Sequence, residues 1–146
     1  MSKRVERAVE LFGPDKCNCS QAMAVAFASA VGLDEAAAMN VGRGFGGGIA
    51  MHGLTCGVVT GAVITLGTRA AKLAKDEKEA KTKAYDMVHR FTERFKARHG
   101  TIECKGLIGV DLATEAGQKL NGDMKITRRM CPDFVRSAAE IVDDLL

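Results

Sequence analysis

Between Asp76 and Gly100 the apolar residues Ala80, Ala84, Met87, Val88, Phe91 and Phe95 recur every three or four positions. That spacing gathers them into one stripe of an α-helix and leaves a charged opposite face in solvent. Asp76 and Glu79 form a capping pair at its start, and Gly100 stops it. A long amphipathic helix has to bury its stripe against partners. The rest of the chain offers it helices.

A first helix is predicted from about Lys3 to Phe12, ending at Gly13-Pro14. A second starts near Asn18, a good N-cap, and turns Ala22, Val25, Ala26 and Ala30 inward until Gly32 ends it. Asp34 caps a short third helix that ends around Gly42. Thr55 is expected to cap a helix running to about Ala74, apolar on most sides through Leu66 and so central and buried. On it, Gly57 and Gly61 share a face that would let another backbone come close. Residues 100–127 are less regular: a helical turn is expected around 104–108, another after Asp111, and Asn121-Gly122 reads as a turn. The last helix is expected to start at Cys131-Pro132, with Pro132 in the first helical position and Val135, Ala138, Ile141, Val142 and Leu145 facing inward.

No segment reads as a strand, and the absence of Trp with an aromatic share of 5% fits packed helices. The expected fold is all-α: a single-domain helical bundle over residues 1–146, with a glycine-rich loop and a buried central helix. A chain of 146 residues buries about 70% of its unfolded surface. It needs neither a disulfide nor a metal merely to hold together. The loop Gly42–Gly48 contains a GxGxxG string at Gly42, Gly44 and Gly47. A helical pattern precedes it and no βαβ unit follows, so it reads as a tight loop or a close backbone approach, not a nucleotide cradle.

Charge excludes some functions. The 21 basic and 18 acidic side chains are interspersed, and basic runs are no longer than pairs such as Arg128-Arg129. Nucleic-acid binding is not expected. Residues 1–12 lack the apolar core of a signal peptide, and 58–66 is too short to span a bilayer. A cytoplasmic protein without a membrane span is therefore expected. Disulfides are disfavoured there, so five cysteines point to metal binding or redox chemistry.

Cys19, Cys56, Cys104 and Cys131 each fall at or near a predicted helix N-terminus. The partial positive charge and free N–H groups there favour thiolate, the form that attacks disulfides and ligates metals. Cys17-Asn18-Cys19 is the only close pair, and CxC is neither a usual zinc nor a thioredoxin spacing. Any shared site must be assembled by the fold. Four converging thiolates suit an iron–sulfur cluster, and paired thiols cycling through a disulfide are also compatible. His52 lies near the presumed site, His89 and His99 have no metal-like companion, and Arg43 and Thr55 could meet an anion at the glycine loop.

The run from Asn18 to Ala22, the Gly44–Gly48 loop, Cys56-Gly-Val-Val-Thr-Gly61, Glu103-Cys104 with Leu107–Gly109, and Cys131 before a closing helix resemble the C_GCAxxG_C_C family of redox-active proteins. The resemblance implies that Cys19, Cys56, Cys104 and Cys131 are the functional set. A similar four-cysteine region accompanies the haem-binding part of split-Soret cytochromes, where an iron–sulfur centre is implied. No CxxCH motif is present, so haem is not carried over. Val58 replaces the Ala of the family's CGAxxG motif. Cys17 is extra: a fifth thiol, a resolving partner for Cys19 or, as favoured here, an exposed passenger.

The expectation is a helical redox protein that holds an iron–sulfur cluster, [2Fe–2S] in type, through Cys19, Cys56, Cys104 and Cys131 and passes electrons to a partner protein. The alternatives are a metal-free thiol–disulfide protein and a structural zinc module for interactions. No residue pattern names the partner, and both enzymatic activity and homo-oligomerisation are left open.

Overall fold

The computed structural model describes residues 2–146. Its helices are α1 (Lys3–Leu11), α2 (Cys19–Val31), α3 (Glu35–Gly42), α4 (Gly57–Leu73), α5 (Glu77–His99), α6 (Cys104–Ile108), α7 (Glu115–Met124) and α8 (Ile126–Leu145), with a 3-10 turn at Arg43–Phe45. The described residues contain no strand, only two isolated bridges, Phe12 with Cys17 and Thr55 with Glu103. The fold is all-α, as the periodicity requires.

Most boundaries follow from local chemistry. Ser2, Asp34, Asp76 and Thr114 each accept a backbone N–H at a helix start. Asn18 and Gln21 form a reciprocal capping box, and left-handed Gly32 and Gly100 end α2 and α5.

The centre of the bundle is α2, not α4. Residues 20–28 of α2 are buried without interruption. Its small side chains let α1, α3, α4 and α8 pack around it. Helix α4 is one-sided by comparison: Val58, Ala62 and Leu66 are buried, while Val63 is exposed. Ala30, expected inward, is also exposed. The predicted stripe of α5 meets the core through Phe91 and Phe95, and a ladder of Phe91, Phe95, His99 and Phe134 rings fastens α5 to α8.

The tight approach of α2 to α4 depends on glycine. A Cβ on Gly61 would stand 2.6 Å from Cβ of Met23 and 2.8 Å from the Ser20 carbonyl oxygen; one on Gly57 would stand 2.8 Å from Cβ of Cys19. This is the close approach that the spacing of Gly57 and Gly61 predicted.

The C-terminal third departs from the sequence reading. Helix α8 begins at Ile126, not at Cys131-Pro132, and Pro132 sits inside it. Its ring has no N–H to give the Arg128 carbonyl, so one helical bond is missing at that turn. Asn121-Gly122 lies within α7, and the chain turns instead at Lys125, which is left-handed with φ 52°. Asn121 still shapes the turn, because its side-chain oxygen accepts the Thr127 N–H at 2.9 Å.

Glycine's two roles can be separated by experiment. Gly61→Ala is expected to lower stability by about 1–3 kcal/mol through overpacking, in spite of better helix propensity. Gly67→Ala, on the same helix with nothing within 4 Å of the new Cβ, is expected to raise it by about 0.5–1 kcal/mol. Urea denaturation midpoints of the two variants check both signs.

Candidate functional site

Four cysteines arrive at one place from four helices. Cys19 is the first residue of α2, set by the Asn18 capping box. Cys56 is the N-cap of α4, the position expected for Thr55. Cys104 opens the short helix α6. Cys131 comes from the interior of α8. Three of the four therefore sit at helix N-termini, and Cys131 does not, because α8 starts earlier than its proline suggests.

Two devices bring these elements together. The first is the Thr55–Glu103 bridge. The Cys56 N–H donates to Ile102 O at 2.8 Å and the Cys104 N–H to Leu54 O at 2.6 Å, which sets the two cysteines side by side. The second is glycine. Gly57 lies against Cys19, and a Cβ on Gly48 would stand 2.7 Å from Cβ of Cys104.

The loop before Cys56 has an unusual backbone. From Gly47 to Met51 every residue is left-handed, with φ of 66, 71, 66, 46 and 66°, and Gly53 follows at 69°. Glycine accepts this freely, but Ile49, Ala50 and Met51 each carry a cost of roughly 1–2 kcal/mol. Loop bonds hold the shape, among them Ala50 N–H to Gly44 O at 2.9 Å and Leu54 N–H to Gly48 O at 2.9 Å. The glycine-rich stretch reads as a tight loop or a close backbone approach, and Gly47 and Gly48 form the loop with positive φ. Gly42 instead ends α3, where a Cβ would lie 3.0 Å from the Gln21 backbone.

Cys19, Cys56, Cys104 and Cys131 line a single cavity of about 720 Å³. Cys56, Cys104 and Cys131 are buried, Cys19 is half-buried, and all are free thiols. Hydrogen bonding to Cys131 and Cys56, with burial added, pushes the Cys19 thiol well above its ordinary range. Cys56 is displaced the other way: hydrogen bonding from Cys19, then the backbone N–H groups of Val58 and Val59 at the start of α4, hold it below the ordinary value against the effect of burial. Burial, then the charges of Cys56, Cys131 and Asp111, raise Cys104 to about 12. Cys56 is thus biased toward thiolate, and Cys19 and Cys104 toward thiol.

The other candidates lie apart from this chemistry. Cys17 is not an exposed passenger: it is buried, and its Sγ lies 3.8 Å from Sδ of Met39 on α3. It reaches the cavity wall, but the short thiol contacts do not include it. His52 is exposed and bonded through Nδ1 to Ile49 O at 2.7 Å. His89 is exposed on α5, and His99 is spent on Ser137 Oγ at 2.8 Å and on the aromatic ladder. Arg43 bonds Asn40, and Thr55 serves the bridge through its backbone; neither lines the cavity. The sequence reading missed Lys125 and Arg128, which do. Arg128 stood out only as half of a basic pair.

Among the described residues, no group of three or more His, Cys, Asp and Glu side chains is placed to hold a metal ion, and no helix is long and apolar enough to cross a membrane.

The raised Cys104 thiol has a consequence for stability. A thiol whose folded pKa exceeds its unfolded value favours the fold only while protonated. Its contribution is complete below the ordinary value of 9.0 and is lost as pH rises through about 12. Reduced, metal-free protein is expected to lose urea resistance across that window. The loss should be smaller in Cys104→Ala, as measured by denaturation midpoints at a series of alkaline pH values.

A sequence model of the C_GCAxxG_C_C family, described as "putative redox-active protein", matches residues 17–145 and so spans all five cysteines. No curated protein and no solved structure matches the chain. With the match extending over nearly its whole length, the chain belongs to the C_GCAxxG_C_C family.

Proposed function

We propose that Cys19, Cys56, Cys104 and Cys131 form one redox centre that holds an iron–sulfur cluster, [2Fe–2S] in type, and exchanges single electrons with a partner protein. The observation that carries this reading is the meeting of four cysteines from four helices in one cavity. Such a cluster takes four cysteine thiolates shared between two irons. The donor set matches in kind and number, and the Val58 and Val59 N–H groups at Cys56 are of the sort that stabilise ligating sulfur. When bound, the cluster supplies the electron; the chain supplies four sulfurs and an apolar wall that limits water.

A second reading has its own support. The Cys19 thiol touches Cys56 and Cys131, and Cys56 is biased toward thiolate. A thiolate beside a thiol is the starting point of disulfide cycling without metal.

Anaerobic purification, an absorption spectrum and assays of iron, sulfide and zinc separate the two. Visible absorbance with two irons and two sulfides per chain is the expected result. Serine at any one of positions 19, 56, 104 or 131 should abolish or shift the bands, whereas Cys17→Ser should keep them. A colourless, iron-free protein whose thiols oxidise reversibly in pairs would establish the second reading instead.

A further inference from the structure

The cysteine cavity is larger and more one-sided in charge than a cluster of four inorganic atoms requires. Its volume of about 720 Å³ falls within the range of roughly 300–1,000 Å³ typical of small-molecule sites. Lys16, Lys125 and Arg128 line it, and no aspartate or glutamate does, although the chain carries 18 of them. Lys16 Nζ donates to the Glu10 carbonyl oxygen at 3.1 Å. The side chains of Lys125 and Arg128, both on exposed residues, have no hydrogen-bond or ion-pair partner among the described residues. The surface ion pairs engage other cations, such as Arg4 with Asp143 and Arg94 with Asp144.

The backbone has the same polarity. Gly47 and Gly48 line the cavity from the left-handed turn, and their N–H groups have no partner among the described residues. Successive amides in such a turn make an anion-binding concavity. Between these donors the wall is apolar, formed by Phe12, Leu107, Ile108, Leu112 and Phe134.

We propose that this cavity also binds a small organic anion, a phosphate, sulfonate or carboxylate group on an apolar body, with the charge held by Lys125, Arg128 and the Gly47–Gly48 amides and the body lying against the apolar wall. The inference depends on the redox reading for its location alone.

The test is calorimetric titration of the purified protein, at its native iron content, with phenyl phosphate, inorganic phosphate and benzylamine. Phenyl phosphate is expected to bind saturably at one site and to weaken with added salt. Inorganic phosphate should bind less tightly, and benzylamine not at all. The double variant Lys125→Asn/Arg128→Gln should weaken phenyl phosphate roughly tenfold or more, the effect of losing about 1.4 kcal/mol of binding. Asn at position 125 is chosen because it tolerates positive φ. Lys81→Gln, on the exposed face of α5, should leave binding unchanged. Iron is assayed in every sample. Phenyl phosphate binding lost with iron retained supports the proposal. Iron lost with phenyl phosphate binding retained overturns it, since the cations would then serve only to balance the cluster, and leaves the redox reading intact. Equal binding of benzylamine and phenyl phosphate also overturns it. Anion binding to an iron-free wild type would uphold it while removing the cluster.

Discussion

The contact between α2 and α4 is the constraint from which the site follows. Gly57 and Gly61 remove two Cβ atoms that would have stood under 3 Å from Met23, Ser20 and Cys19, a separation that packed atoms do not reach. With those atoms absent the two helices meet nearly backbone to backbone. Their N-termini then point into the same space, one carrying Cys19 and the other Cys56. The same glycines thus set the packing of the bundle and the spacing of its first two thiols. α2 also owes its central burial to this contact, because small residues along it admit a neighbour on every side.

The second pair of cysteines is delivered by longer means. Cys104 is tied to the loop that precedes Cys56 by backbone hydrogen bonds across the Thr55–Glu103 bridge. That loop reaches its position only by running left-handed over Gly47–Met51, at a cost in conformational energy that the rest of the structure must offset. Strain of this kind persists where surrounding contacts over-determine it, here beside the thiols. Cys131 needs no special backbone of its own. It lies on the α8 face that packs on the core, one residue before a proline that leaves a helical carbonyl free nearby.

The thiols are chemically unequal, although the residue type is the same. Cys56 is held toward thiolate by a neighbouring thiol and two amides, and Cys104 is held toward thiol by burial and nearby negative charge. Spacing along the chain showed no such difference, since each cysteine reads as lying near a helix start. Cys17 is the sharpest case. Two residues from Cys19 and outwardly a partner for it, it points instead into the contact with α3, where Met39 meets its sulfur.

Local chemistry settled most of the helices. Caps at Asn18, Asp34 and Asp76 and stops at Gly32 and Gly100 are properties of single residues and their immediate neighbours, so they were legible in order along the chain. So was the identity of the four cysteines, carried by the family pattern and by the glycine spacing after Cys56. Legibility failed where two signals competed. Pro132 and Asn121-Gly122 look like boundaries, yet the turn falls at Lys125, because packing of α8 against α1, α2 and α6 outweighs one missing hydrogen bond. The sequence by itself determined an all-helical chain and singled out four of its five cysteines. Only the tertiary structure decided that they share one cavity, which of them leans toward thiolate, and that cations and free amides stand around them. Those properties depend on distances between groups far apart in the chain, and no periodicity or local propensity encodes such distances.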